Sequence, residues 1–344
     1  KIWIKKRRPG QAIMYYSFND RVIESSDLIH GTYTVRPSIL NPSENEIYVD
    51  CTLGAGGHTR QILKTAKCNV VGIDRDPSAF SLNREEYKAY GKRLSLVEGK
   101  FGDLENHISN LGIEKVDAVF LDLGVSSMQL DNAERGFSFR FDAPLDMRMG
   151  SDGQTAFEII NKYKEKDLAN IIFKYGEERQ SRRIAHGIVE KRKNKKIETT
   201  FELSEIIKSA VPKKYSKIHP STKTFQGLRI FLNDELKELY KALIAAENIL
   251  NENGRLIVIA FHSLEDRIVK NFLRFNSISE KKYKQGESLS SFFYKNKRVS
   301  KPSDDEIKNN PRARSARLRY AYKTSVNNFN KPDHSYHKYG GIDV

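Results

Sequence analysis

The sequence has little cysteine and no long apolar run. Its 344 residues include two cysteines, Cys51 and Cys68, whose number and spacing fit neither a disulfide framework nor a zinc site. We therefore predict a reducing compartment and no metal. No apolar stretch approaches the about 18 residues of a membrane span, and the first residues lack the apolar core of a secretory signal. These absences predict no membrane partner and a cytoplasmic location. Because the first residues are basic, a mitochondrion or another bacterially derived organelle is the alternative.

Negative charge is also in deficit. Lysine and arginine number 59 against 44 aspartates and glutamates, which gives a formal net charge of +15. Such an excess favours an anionic partner, nucleic acid above all. A lysine-rich solvated surface would give the same balance, so charge alone leaves both interpretations open.

Short apolar segments alternate with helical patterns in two stretches of the chain, which is typical of a parallel sheet with crossover helices. We therefore predict an α/β fold in which a Rossmann-like, mostly parallel sheet carries an inserted all-helical domain. The predicted boundaries are an N-terminal extension, in part disordered, at 1–45; the sheet domain at 46–133 and 223–322; the insert at 134–222; a long mobile loop at 276–310; and a disordered tail at 323–344.

The segment DCTLGAGGHT places three glycines between an apolar strand and a helical pattern. Glycines there allow backbone to approach a ligand, and the helix start offers free N–H groups. A dinucleotide fingerprint would need glycine or alanine where this chain has Thr59. The turn therefore favours a nucleoside cofactor without pyrophosphate, which S-adenosylmethionine matches. A tight turn that binds nothing is the alternative.

Carboxylates end two further predicted strands. Asp74 follows Gly54 by about 20 residues, where a second strand delivers a carboxylate to ribose hydroxyls. Asp122 ends VFLDLGVSSMQ, and the chain then continues through small and polar residues. Asp122, Ser126, Ser127 and Gln129 are candidates to accept hydrogen bonds from an amine of the substrate or cofactor. A local turn that satisfies only its own backbone is the alternative for each serine.

The segment FHSLEDRIVK follows a later strand, and Ser263 with Asp266 predicts a capping box at a helix start. His262 is open between a position beside the substrate pocket and a hydrogen-bonded histidine at a strand end. Basic side chains cluster twice more, as a helix-spaced run in the insert and as a group at a strand start. We predict RNA contacts for Arg182, Arg183, Arg192, Lys193, Arg312, Arg314 and Arg317. A solvated helix face is the alternative for the run in the insert.

Seven segments between residues 46 and 319 together resemble the RsmH (MraW) family of ribosomal RNA small-subunit methyltransferases. They are DCTLGAGGHT, GIDRDP, LDLGVSSMQLDNAERGFSFRFDAPLDMRM, YGEERQSRRIAHGIVE, TKTFQGLRIFLNDEL, FHSLEDRIVK and NPRARSARLR. The resemblance implies a class I methyltransferase sheet and methyl transfer from S-adenosylmethionine to N4 of a cytosine in the ribosomal decoding region. One departure is HGTYTVRPSILNP, which alters the family's usual His-x-Pro-Val-Leu segment, so part of the cofactor lid or RNA surface differs here.

Carried onto this sequence, the family's cofactor contacts are Gly56, Gly57, His58, Asp74, Phe101, Asp122 and Gln129. Asp122, Ser126 and Ser127 are our candidates for orienting the target amine, and Asp146 is a further candidate proton acceptor. We expect the small-subunit RNA to be met in an assembled or late-assembling subunit. The alternatives are a methyltransferase of the same fold acting on another RNA or on protein, and a non-catalytic RNA-binding assembly factor.

Overall fold

The computed structural model describes residues 2–8, 11–18, 21–24, 37–81, 84–211, 218–286, 290–295, 298–326 and 335–343. Three strands lie in the N-terminal extension and pair antiparallel in chain order: β1 (Ile2–Arg8), β2 (Gln11–Phe18) and β3 (Arg21–Glu24). Among the described helices, none is both long and apolar enough to cross a membrane.

The principal sheet has eight strands in the order β6-β5-β4-β7-β8-β11-β10-β9. The five strands from β6 to β8 run parallel, and β11 is antiparallel to both of its neighbours. The predicted mostly parallel, Rossmann-like sheet is thus confirmed. The strands are β4 (Ile47–Asp50), β5 (Asn69–Asp74), β6 (Leu94–Glu98), β7 (Val116–Asp122), β8 (Leu250–Ala260), β9 (Ser277–Ser279), β10 (Phe292–Tyr294) and β11 (Arg317–Lys323).

Fifteen helices occur in the described part of the chain. They are α1 (Pro37–Leu40), α2 (Gly57–Thr65), α3 (Ser78–Ser81), α4 (Arg84–Ala89), α5 (Leu104–Asn110), α6 (Ser127–Asp131), α7 (Ala156–Lys162), α8 (Glu165–Lys174), α9 (Ser181–Asn194), α10 (Thr200–Ala210), α11 (Ser221–Leu232), α12 (Glu235–Ile249), α13 (Ser263–Asn276), α14 (Glu280–Lys284) and α15 (Asp304–Asn309).

Helices cover both faces of the sheet, which is why its central strands are apolar at successive positions. In β7, Phe120 belongs to the core on the side of α2, whereas its neighbours Val119 and Leu121 belong to the core on the side of α5, α12 and α13. All three side chains are buried. Alternate residues of one strand therefore anchor opposite helical layers, and this fixes the positions of the strand ends.

The helices α7 to α11 form the insert between β7 and α12. Their apolar side chains, Ile172, Ile184 and Leu203 among them, join the same continuous core as the sheet residues of the α12 side. Helix α11 packs mainly on α8 and also contacts α10 and α12. The helical packing thus continues about ten residues beyond the predicted limit at 222, because α11 covers the insert before α12 returns to the sheet.

The structure differs from two predictions of disorder. The segment 276–310, predicted as a mobile loop, contains β9, α14, β10 and α15, and Phe292 and Phe293 of β10 are buried. Within the predicted tail, residues 335–343 form turns, and the fully buried Tyr339 packs on Phe272 at a ring distance of 5.4 Å. In both segments a few aromatic side chains supply the apolar contact that the polar composition conceals.

Candidate cofactor and substrate site

The cleft lies where the sheet order reverses. From β4 the chain moves outward through β5 and β6, whereas β7 and β8 extend the sheet on the other side. Ligands of open α/β sheets bind outside the carboxyl ends of the strands at such a switch point. The residues that line the cleft are Cys51, Thr52, Leu53, Gly54, Ala55, Gly57, His58, Asp74, Arg75, Phe101, Asp122, Leu123, Gly124, Val125, Ser126, Ser127, Gln129 and Met149.

The glycine turn is required by both backbone and space. Gly54 and Gly56 have φ of +49° and +75°, a region that glycine enters without strain. A Cβ on Gly56 would stand 2.2 Å from the Tyr87 hydroxyl. Gly56 is the N-cap of α2, and Gly57 and His58 follow as its first residues. Gly57 and His58 line the cleft, while Gly56 shapes the turn behind it.

Asp74 ends β5 with its carboxylate facing the glycine turn. One oxygen, Oδ2, accepts a hydrogen bond from the Gly54 amide at 2.7 Å, and Oδ1 accepts one from the Asp76 amide at 2.9 Å. Burial raises the pKa of Asp74 to about 6, although the two amide hydrogen bonds oppose that rise. A carboxylate offers about four acceptor positions, so each oxygen retains one for a ligand. Two neighbouring hydroxyls of a ribose would fill them.

Buried charges lie beneath the turn. His58 Nε2 is 3.3 Å from Asp122 Oδ2, and the His58 ring packs on Phe120 at 4.5 Å between centroids. Burial alone would lower the pKa of His58, but the hydrogen bond and charge of Asp122, followed by the charge of Asp50, raise it. Burial raises the pKa of Asp50, whose carboxylate accepts from Thr59 Oγ1 at 2.7 Å. His58 therefore holds Asp122 in place at the floor of the cleft.

Ser126 and Gln129 form the capping box of α6. The Ser126 hydroxyl accepts from the Gln129 amide, and Gln129 Oε1 accepts from the Ser126 amide at 3.0 Å. The alternative of local backbone satisfaction thus describes the Ser126 side chain, while Ser127 is half-buried against the cleft. Gln129 Nε2 also donates to Asp76 Oδ2 at 2.9 Å. Both polar ends of Gln129 are engaged by protein, although its side chain borders the cleft.

Asp76, which the sequence analysis did not single out, joins three segments around the cleft. Its carboxylate accepts from Gln129, from Arg135 Nη1 at 2.7 Å and from the Ser78 hydroxyl at 2.7 Å. These hydrogen bonds lower the pKa of Asp76 even though burial opposes the shift. Arg135 also donates to the Met149 carbonyl at 3.0 Å, and so fixes the wall to which Met149 belongs. The second aspartate of GIDRDP was the available signal.

Asp146 lies away from the cleft lining. Its two carboxylate oxygens accept from Arg148 at 2.9 and 2.7 Å. Burial favours a higher value, but the hydrogen bonds and charge of Arg148 lower the pKa of Asp146. A carboxylate engaged in this way is a poor proton acceptor, and the geometry disfavours the predicted role of Asp146. Phe101, in contrast, begins the 3-10 turn after β6 and lines the cleft.

The N-cap of the helix after β8 lies one residue earlier in the chain than predicted. His262 is the N-cap, its Nδ1 accepts from the Glu265 amide, and Glu265 Oε2 accepts from the amides of His262 and Phe261. Ser263 instead donates to Glu177. The prediction of Ser263 and Asp266 as the box was wrong. The hydrogen-bonded interpretation of His262 is the one that the structure supports.

His262, Glu265 and Glu235 come close enough to suggest a metal site. However, Arg229 already binds both oxygens of Glu235, at 2.7 and 2.8 Å. Burial opposes the shift, but the charges of His262 and Arg229 lower the pKa of Glu265. A guanidinium thus supplies the positive charge that these carboxylates need, and the group is an ion-pair network between α11, α12 and α13.

Six of the seven predicted RNA-contacting residues are exposed, and four of the seven, Lys193 with Glu190 among them, are paired with other protein groups. Arg182, Arg183 and Lys193 are exposed on α9, and Arg314 is exposed in the turn before β11. The Arg192 guanidinium instead donates to the carbonyls of Ile160 and Tyr163. Arg312 pairs with Asp131, and Arg317 shares Asp266 with Arg319. Arg192 therefore caps the end of α7, and the sequence could not distinguish it from its solvent-facing neighbours.

Arg75 and Met149 are among the lining residues that the sequence analysis did not single out. Arg75 follows Asp74 directly and donates to the Asn233 carbonyl at 2.9 Å. The Met149 amide donates to Asn233 Oδ1 at 2.8 Å. Asn233 therefore ties the end of α11 to the rim of the cleft. Only the proximity of Arg75 to the β5 carboxylate could have indicated its place.

The sheet order, the glycine turn and the strand-end carboxylates fit a class I methyltransferase domain. The profile described as the MraW methylase family matches residues 33–324. The chain belongs to the MraW methylase family. It is 48% identical over 294 residues to the ribosomal RNA small subunit methyltransferase H of Parvibaculum lavamentivorans, covering 84% of this chain and 87% of that protein. It is 51% identical to the protein of the same name from Rhodopseudomonas palustris, covering 83% and 87%, and 48% identical to that of Rickettsia conorii, covering 82% and 93%.

Proposed function

We propose that this protein transfers a methyl group from S-adenosylmethionine to N4 of a cytosine in the decoding region of small-subunit ribosomal RNA. The observation that carries the proposal is the meeting of the glycine turn, Asp74 and Asp122 in one cleft at the switch point of the sheet. The names of the three relatives support the class of substrate. The cytosine atom and its place in the RNA rest on the family resemblance.

The cofactor is positioned by groups whose geometry suits a nucleoside. Asp74 has one further acceptor position on each oxygen for the ribose hydroxyls, and Gly57 and His58 at the start of α2 line the same cleft. Phe101 borders the cleft after β6, where an aromatic ring can pack on adenine. The bound cofactor supplies an electrophilic methyl on a sulfonium.

The target amine needs orientation more than activation. Its lone pair is delocalised into the cytosine ring, so N4 must be held in line with the methyl group, and positioning supplies much of the acceleration. Methyl transfer would leave S-adenosylhomocysteine as the leaving group, and the proton displaced from N4 would pass to water. Asp122, held by His58 and by its own amide hydrogen bond to Thr52 Oγ1 at 2.8 Å, accepts a hydrogen bond from the amine. Ser127 is the second orienting group.

The cytosine must be unstacked to enter this cleft. Exposed cations of the insert, Arg182, Arg183 and Lys193, and Arg314 before β11 contact the RNA backbone around it. We further propose that the assembled or late-assembling small subunit is preferred to naked RNA, because a folded platform can engage several of these contacts at once. The expected compartment is the cytoplasm or a bacterially derived organelle.

The test uses labelled S-adenosylmethionine with three substrates: naked small-subunit RNA, isolated small subunits and joined ribosomes. We expect label in the RNA, fastest with isolated subunits. Asp122→Asn should lower kcat by at least tenfold, whereas the matched control Asp146→Asn should retain kcat. Label in protein, or none, would contradict the enzymatic proposal. Equal rates on naked RNA would contradict the preference for subunits.

A further inference from the structure

Two exposed phenylalanines are brought together by a loop of the insert. An isolated bridge pairs Pro144 with Thr199, and Thr200 Oγ1 donates to the Phe141 carbonyl at 2.7 Å. The next residue, Phe201, hydrogen bonds through its amide to Asp142 Oδ1 at 3.3 Å. Thr200 is fully buried in this junction. The junction presents Phe141 and Phe201 at the surface with exposed fractions of 54% and 44%.

Phe201 also stands at the edge of a groove between α9 and α10. The two helices approach closely because Gly187 faces Ile206, where a Cβ would lie 3.4 Å from the Ile206 methyl. The groove is lined by Arg182, Arg183, His186, Gly187, Glu190, Lys191, Asn194, Lys195, Lys196, Ile197, Phe201, Glu202, Glu205, Ile206, Ser209 and Ala210. It is distinct from the cofactor cleft, with which it shares no lining residue.

The charge of the groove is unbalanced. Each of its acidic residues has a lysine partner: Glu190 with Lys193, Glu202 with Lys195 and Glu205 with Lys208. Four more cations, Arg182, Arg183, Lys191 and Lys196, line the groove, and within the described part of the chain none of the four forms an ion pair. The groove therefore suits a polyanion. The exposed ring of Phe201 in its lining, and that of Phe141 on the adjoining loop, suit the flat faces of that polyanion's bases.

We propose that Phe141 and Phe201 form a stacking site for unpaired nucleotides of the RNA substrate, with the groove cations holding the adjoining phosphates. The proposal rests on the proposed function for its substrate class and adds a second point of RNA contact outside the cofactor cleft. Every base has a π-face, so this site binds single-stranded RNA without reading its sequence.

Binding of a 12-nucleotide single-stranded RNA, with 2-aminopurine as the stacking reporter, tests the site directly. Loss of one stacked base costs about 1–3 kcal/mol, so Phe201→Ala and Phe141→Ala should each weaken binding about 5- to 150-fold and abolish the quenching. Phe201→Tyr should retain both. The matched control is Phe173→Ala, since Phe173 is exposed on α8 of the same insert but belongs neither to the groove lining nor to the loop that joins Phe141 to the start of α10. The salt slope should stay unchanged in the phenylalanine variants and decrease in Arg182→Gln/Arg183→Gln.

Methylation kinetics on small subunits separate this site from the chemistry. The phenylalanine variants should raise KM for the subunit and leave kcat and cofactor affinity unchanged. Wild-type affinity and quenching in both alanine variants would overturn the stacking site even if methylation proceeds as proposed. Conversely, the parent protein could methylate no RNA while both alanine variants still lose RNA binding. That result would support the stacking site and reject the proposed function. Phenylalanine-dependent binding to ribosomal proteins but not to RNA would also overturn the proposal.

Discussion

Asp74 is the sharpest point at which to test how the cofactor is held. Its oxygens each accept one backbone amide and keep one further acceptor position. A hydrogen bond to a charged acceptor contributes about 1.5–3 kcal/mol. Removing one ribose hydroxyl should therefore weaken binding of S-adenosylhomocysteine about 10- to 150-fold in the parent protein.

Asp74→Ala should weaken the intact cofactor product by at least the same factor, but this change also releases the amides of Gly54 and Asp76. A double cycle with the 2′-deoxy and 3′-deoxy analogues, measured by calorimetry, removes that ambiguity. In Asp74→Ala the penalty for losing the contacted hydroxyl should fall to near zero. An unchanged penalty for both analogues would refute the assignment of Asp74 to the ribose, whatever the total loss of affinity.

Four further outcomes are expected. Because burial raises the pKa of Asp74 to about 6, its ionised form dominates above that pH, and cofactor affinity should fall about tenfold at pH 5. Calorimetry should find that cofactor affinity depends less on pH in Asp74→Asn than in the parent. An equal pH dependence in both proteins would show that Asp74 is not its cause. Gly56→Ala should destabilise the fold by about 1–3 kcal/mol, because Gly56 has a positive φ and a Cβ there would meet Tyr87. The loss should exceed that of Gly91→Ala, since Gly91 has a φ of +55° but open space around it. Equal losses of stability in thermal unfolding would contradict the clash with Tyr87. Arg182→Gln and Arg183→Gln should each lower the slope of log K for RNA binding against log salt by about 0.7–0.9. Arg192→Gln should leave that slope unchanged and lower the unfolding temperature, because Arg192 caps α7. The reverse pattern would show that Arg192 contacts RNA. Burial opposes the shift, but Arg319 and Arg317 lower the pKa of Asp266. The stability that ionised Asp266 contributes is therefore present above its unfolded-state pKa near 4 and is lost on acidification. In urea unfolding, Asp266→Asn should lose less stability than the parent between pH 6 and 3, and an identical loss would contradict this origin.

Much of the fold follows from patterns that the sequence displays. Apolar strands buried on both faces produce continuous hydrophobic runs, so the sheet segments ending at Asp50, Asp74 and Asp122 were recognisable. Those strand ends then define the cleft, because parallel strands place their carboxyl ends along one edge. The glycine turn was predictable for the same local reason, since positive φ angles at Gly54 and Gly56 require that residue type.

Other features depend on contacts between distant segments. Arg192 and Lys193 are adjacent in one basic run, yet only Arg192 reaches the carbonyls of Ile160 and Tyr163. Tyr339 sits in a polar tail, but it packs on Phe272. Local sequence patterns do not indicate such distant partners. Composition therefore predicted a solvent-facing side chain for Arg192 and a disordered segment around Tyr339.

The central claim is the chemistry of the product, and nucleoside mass spectrometry tests it most directly. Small subunits lacking the modification are incubated with the protein and methyl-labelled S-adenosylmethionine, and the RNA is then digested to nucleosides and mapped by fragment. The account predicts N4-methylcytidine at one site in the decoding region, with its yield greatly reduced in Asp122→Asn. Label on cytosine C5, on a ribose oxygen or on another base would contradict it.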